Sequence, residues 1–141
     1  KLVVQMVETF GSNQKPVFVD HLDAEEVSKE AQLANVPIML YSEDTTHIVT
    51  EEGIAYFYKT DSMEERKAAV EAIAGVTPVG VRSNPEEVNK LREKGIVALP
   101  EDLGVRREDA KRSLLAAQTM DDIVERSHGL YNPPSKVRSW S

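Results

Sequence analysis

From Thr46 to Thr60 the chain reads THIVTEEGIAYFYKT: a short apolar segment, two adjacent carboxylates, a glycine and a second apolar segment. Ile48 and Val49 are β-branched, which suits a pleated and covered strand. The Thr-Glu-Glu-Gly stretch then reads as a turn into a second strand over Ile54–Tyr58. Tyr56, Phe57 and Tyr58 would alternate between the faces of that strand, so both faces are expected to be covered.

The same periodicities organise the rest of the chain. Leu2–Phe10 is a strand candidate, with Leu2, Val4 and Met6 on one face and Val3, Gln5 and Val7 on the other. A polar turn through Gly11, Ser12, Asn13 and Pro16 leads to a short strand at Val17–Val19. Asp23, with Glu26 three residues on, marks a capping box for a helix to about Ala34, whose buried face is Val27, Ala31 and Ala34. Pro37 ends that helix before a buried strand, Ile38–Leu40.

Ser62 and Glu65 form a second capping box. The helix it opens carries an apolar stripe of Met63, Val70, Ile73 and Ala74 and stops at Gly75. Val76–Val81 is a loop or short strand around Pro78. Asn84-Pro85 starts a helix with Val88 and Leu91 inward and Gly95 at its end. Ile96–Leu99 is a further short strand. Arg107–Ala117 is helical in pattern, and Thr119 caps a last helix to about His128.

Strands alternating with helices predict an α/β domain with an open, mostly parallel sheet flanked by helices, over residues 1–128. Residues 129–141 show no period and contain two prolines, so an extended tail is expected. Its large apolar side chains, Tyr131 and Trp140, are expected to anchor it to a surface groove. Because Lys1 is followed at once by strand-like residues, the chain is expected to be a fragment of a longer one.

Composition narrows the chemistry. The chain has 141 residues, 24 acidic against 17 basic, a net charge of −7 and a pI near 5.0. Basic residues are scattered among acidic ones, which argues against a nucleic-acid surface. No apolar run is long enough for a bilayer, and no membrane role is expected. Without cysteine there is no thiolate chemistry, and a reducing, cytoplasmic setting fits. His21, His47 and His128 have no partner at metal-ligand spacing, so no metal site is expected. Serine-hydrolase, dinucleotide and P-loop signatures are missing. The two glycines of Gly75-Val-Thr-Pro-Val-Gly80 would let a backbone approach a ligand closely.

The candidate chemistry therefore sits at the acidic turn. Glu51 and Glu52 are the candidate catalytic carboxylates, flanked by Thr50 and Gly53 as candidate substrate-binding positions. A carboxylate there can orient a thioester, act as a base, or hold the turn by accepting backbone N–H groups. Adjacent residues on a strand point to opposite faces, so at most one of the pair enters a given cleft.

VTEEGIAYFYK resembles the V-V-T-E-x-G-(I/V)-A signature of the CoA-transferase superfamily. Together with EERKAAVEAIAGVTPVG, the opening KLVVQMVETF and the closing HGLYNPPSKVRSW, it is similar to the end of the α subunit of biotin-independent malonate decarboxylase. That family closes with Gly-Leu-Tyr-(Asp/Asn)-Pro-Pro-Ser and an Arg-x-Trp, matched by Gly129–Ser135 and Arg138–Trp140. The resemblance spans the chain but only the last quarter or so of such a subunit.

The resemblance implies a CoA-transferase-like fold and a bacterial acyl-carrier-protein transferase that exchanges acetyl for malonyl, using malonate and releasing acetate. It implies the carrier protein and the decarboxylase β and γ subunits as partners. The phosphoribosyl-dephospho-CoA arm of the carrier brings the thioester, and no cofactor is permanently bound. In such enzymes a glutamate attacks the thioester and a glycine-rich loop supplies oxyanion donors. The usual glutamate loop would lie upstream of Lys1, so the isolated chain is expected to be inactive. The alternatives are a citrate lyase or acetyl-CoA transferase type of subunit, or a docking module for the carrier and the decarboxylase subunits.

Overall fold

A computed structural model describes residues 1–36, 43–111, 119–126 and 134–135. Four strands form one sheet in the order β1 (Val4–Met6), β2 (His47–Thr50), β3 (Gly53–Tyr56) and β4 (Val97–Ala98). β1 runs parallel to β2, with Val4 opposite His47 and Met6 opposite Val49. β2 pairs antiparallel with β3, and β3 antiparallel with β4.

The α/β class stands, but the sheet is not mostly parallel among the described strands. The reason is local. Thr50 pairs with Gly53 across a turn made only of Glu51 and Glu52, and a two-residue connection can join only antiparallel neighbours. The link from β1 to β2 is long enough to bring the chain back in the same direction.

Several expected elements are shorter. The long first strand shrinks to Val4–Met6, although the Val7 N–H still donates to the Val49 carbonyl at 3.0 Å. Val17–Val19 forms no strand of the sheet among the described residues; next to it a single bridge pairs Phe10 with Pro16. β3 stops at Tyr56, and Phe57–Lys59 turn into a 3-10 helix that buries Phe57 and leaves Tyr58 59 % exposed. The expected strand at residues 38–40 lies outside the described residues, as do residues 112–118 and most of the expected tail, with Tyr131 and Trp140.

The helices begin where their caps predict. Asp23 accepts from the Glu25 and Glu26 N–H groups and opens α1 (Ala24–Glu30), which ends early because Gln32 turns to φ +52°. Its expected buried face is wrong: Val27, Ala31 and Ala34 are exposed, and Ser28 is the buried residue. Ser62 caps α2 (Met63–Ile73), and Asn84 caps α3 (Pro85–Glu93) with Pro85 at the first position. Gly75 and Gly95, both at positive φ, follow the ends of these two helices. α4 (Arg107–Ala110) is a single turn. α5 (Met120–Arg126) opens with a reciprocal box, in which the Asp122 N–H donates to Thr119 Oγ1 and the Thr119 N–H to Asp122 Oδ2.

The core lies between the sheet and α2. Ile48, Ala55 and Val97 point from the strands toward Ala69 and Ile73, and Leu91 of α3 closes one side. Full burial of Ile73 is worth about 1.5–3 kcal/mol relative to exposure. Small residues at 68 and 69 let α2 lie close to the strands. Met63, expected in the same stripe, is 61 % exposed at the first turn, beyond the sheet's reach. Among the described residues no helix is long and apolar enough to cross a membrane.

Candidate functional site

The turn between β2 and β3 lies at the carboxyl end of β1 and β2, the end of a parallel pair at which open α/β sheets place ligands. Four residues in sequence build it, and each side chain or Cα faces a different neighbour.

Glu51 reaches back to β1. The Thr9 backbone N–H donates to both carboxylate oxygens, at 3.1 and 3.0 Å, and the Thr9 hydroxyl donates to Oε1. Thr9 is buried, so its donors have no access to water and depend on this carboxylate. Glu52 takes different partners. Its Oε2 lies 2.7 Å from Arg107 Nη1 and its Oε1 3.3 Å from Lys111 Nζ.

Arg107 extends the network by donating to Glu101 at 2.7 Å. Its guanidinium is held above its ordinary pKa chiefly by the Glu101 hydrogen bond, with Glu52 adding to it. The single turn of α4 is thereby tied to the hairpin. A helix of four residues cannot hold itself together in water, so this tether gives it a place.

Thr50 and Gly53 are taken up by packing. Thr50 Oγ1 donates to the Ile73 carbonyl at 2.7 Å and accepts from the Glu52 N–H at 3.0 Å, locking the turn onto the end of α2. Gly53 is buried at φ +157°. A Cβ there would stand 2.7 Å from the Ala98 carbonyl oxygen and 3.1 Å from Ile73 Cγ2. No side chain fits between the turn and β4.

The Gly75–Gly80 loop packs its backbone against itself. A Cβ on Gly80 would lie 2.0 Å from the Gly75 carbonyl oxygen, and Thr77 bridges the same turn by donating to the Ala74 carbonyl and accepting from the Gly80 N–H. The expectation was close backbone approach to a ligand; what the two glycines accommodate here is the loop's own packing on the end of α2. An open hollow of about 380 Å³ lies further along α2, rimmed by Lys67, Glu71 and Arg82, and contains none of residues 50–53.

The structure thus brings Glu51 and Glu52 to one turn but engages each elsewhere. Thr9, Arg107 and Lys111 are the site residues that sequence reasoning missed. Thr9 is 42 positions from Glu51 and Arg107 is 55 from Glu52, and nothing in the local pattern links them. Among the described residues no group of three or more His, Asp or Glu side chains is placed to hold a metal ion. His47 instead packs edge-on against Tyr56 and at a tilt against Tyr58, at ring-centroid distances of 5.4 and 5.2 Å.

A mixed sheet with a helix layer and an acidic hairpin at the strand ends defines a mixed α/β domain, and comparison with known proteins gives it a family. The family described as malonate decarboxylase, alpha subunit, transporter, matches residues 1–140. The acetyl-S-ACP:malonate ACP transferase of Malonomonas rubra is 52% identical over 140 residues, covering 99% of this chain and 25% of the relative. In the crystal structure of a Pseudomonas malonate decarboxylase hetero-tetramer in complex with malonate, one chain is 54% identical with a TM-score of 0.69, over 99% of this chain and 26% of its own length. The malonate decarboxylase alpha subunit from Acinetobacter baumannii is 56% identical with a TM-score of 0.69, over 98% of this chain and 25% of its own.

This chain belongs to the malonate decarboxylase alpha-subunit family. It spans about a quarter of the length of the relatives it matches.

Proposed function

We propose that this chain is part of an acetyl-S-ACP:malonate ACP transferase, the α subunit of a malonate decarboxylase. In that reaction malonate displaces acetate from the carrier-protein thioester, so malonyl carrier protein forms and acetate leaves. The observation that carries the reading is identity of 52% with the Malonomonas rubra transferase over 140 residues, essentially the whole chain. The carrier protein, with its phosphoribosyl-dephospho-CoA arm, is the thioester donor, and no cofactor is permanently bound. The β and γ decarboxylase subunits are the other partners, in keeping with the hetero-tetramer found for the Pseudomonas relative. The setting is the cytoplasm.

Within this reading the acidic turn borders the transfer site. Glu51 and Glu52 are the carboxylates offered at the ends of β1 and β2, and Thr50 and Gly53 give the turn its shape. The test uses a full-length α subunit carrying this segment, acetylated carrier protein and radiolabelled malonate. Label on the carrier with matching release of acetate is the expected result. Transfer only to free CoA thioesters would favour the acetyl-CoA transferase type, and no transfer to either would overturn the reading. In the same assay Glu51→Gln and Glu52→Gln are expected to lower transfer. Unaltered rates in both would remove the turn from the site.

A further inference from the structure

Among the described residues the sheet is apolar on both faces and the core occupies one of them. Ile48, Ala55 and Val97 face α2, and α2 and α3 contribute Ala69, Ile73 and Leu91 to that side. By the pairing register, Val4, Met6, His47, Val49, Ile54 and Tyr56 share the other face. Val4 is 44 % and Met6 75 % exposed, and the remaining four are half-buried. A sheet that shows one face to water carries polar residues there, whereas strands covered on both faces read as unbroken apolar runs. Ile48-Val49 and Ile54-Ala55-Tyr56 are runs of the second kind.

The face also limits what can cover it. Of those six residues only His47 and Tyr56 carry a polar group, and the His47 Nδ1 is occupied by Thr46 Oγ1 at 2.9 Å. Lys59 at the margin lies over the Tyr56 ring and donates to the Gly95 carbonyl. An anionic partner, such as a phosphate-bearing arm, needs free cations, and Lys59 at this face is already engaged by the Tyr56 ring and the Gly95 carbonyl. Contiguous exposed apolar surface of this sort marks a protein interface. The relatives are about four times as long as this chain, so they hold a large amount of further polypeptide in the same subunit.

We infer that this second sheet face is the seam on which the remainder of the same α subunit packs, an intrachain interface with Met6, Val49 and Ile54 at its centre. The inference rests on the reading that this chain is part of such a subunit. A photo-cross-linking residue placed at Met6 in the full-length subunit, alone and in the assembled decarboxylase, tests it. The expected product migrates at the mass of one subunit, and its cross-linked peptide comes from outside this segment but within the same chain. Cross-links to a second copy, to the carrier protein or to another decarboxylase subunit would overturn the inference. So would the absence of any cross-link together with rapid oxidation of Met6 by peroxide, which would mean an open face. Since cross-linking reads packing and not turnover, failure of the transfer assay would sink the functional reading while leaving this result to stand or fall by itself.

Discussion

The Thr9 N–H and hydroxyl both donate to the carboxylate of Glu51, 42 residues further on, and so tie the end of β1 to the β2–β3 turn. One carboxylate thereby satisfies two donors of a buried residue. Removing it by Glu51→Ala should destabilise the subunit by about 1–3 kcal/mol, because the Thr9 donors are left without partners. Thr9→Val removes only the hydroxyl and should cost less. The two changes combined should fall short of the sum of the singles, since they share one interaction. Denaturant unfolding of the four proteins measures this, and strict additivity would show that the pair is not energetically coupled.

Gly53 and Gly80 are required by space. Gly53→Ala puts a methyl 2.7 Å from a backbone carbonyl of β4 and should destabilise by about 1–3 kcal/mol through overpacking. Gly80→Ala meets the Gly75 carbonyl at 2.0 Å and should be the worse of the two. The denaturation midpoints rank them. Equal midpoints, or a Gly53→Ala midpoint unchanged from the parent, would contradict the packing described here.

Arg107 joins α4 to the hairpin through Glu52 and to the preceding turn through Glu101. The pairs are partly exposed, so Arg107→Gln should lower global stability by no more than about 1 kcal/mol. Its local effect should be larger. Amide hydrogen exchange over residues 107–110 should accelerate markedly, because a single helical turn has little stability without its tether. Exchange at the parental rate would mean that something else holds α4.

Asp102 offers a test by pH. Its carboxylate accepts from Arg92 Nε at 2.8 Å and Nη2 at 2.5 Å, and from the Leu99 N–H at 2.9 Å. The Arg92 hydrogen bonds, then the Leu99 N–H, bring its pKa from the ordinary 3.8 down to about 2. A depressed acid stabilises the fold above its unfolded pKa, and that contribution disappears as pH falls through the folded value. The stabilisation is therefore complete above 3.8 and is lost as the pH falls through about 2. The carboxyl carbon resonance of Asp102 should titrate near the lower value, and Arg92→Gln should move the midpoint up toward 3.8. A parental midpoint near 3.8 would show that the pair is open in solution.

Asp23, Ser62, Asn84 and Thr119 each cap the helix their spacing predicts, and Gly75 and Gly95 follow the ends of α2 and α3. The acidic turn, too, is legible from Thr50 to Gly53. These features depend on bonds between residues two to four apart, so a local reading contains everything that decides them. The direction of β4, the exposure of Val27 and Met63, the burial of Gly53 under Ala98, and the partners of Glu51 and Glu52 had no such local sign. Each depends on which distant segments meet, and that is set by how the whole chain buries its apolar surface rather than by the preference of any one stretch. The turn's acidity was thus a property of the sequence, while the assignment of Glu51 to Thr9 and Glu52 to Arg107 belonged to the tertiary structure, because only packing brings residues 42 and 55 positions apart within hydrogen-bond reach.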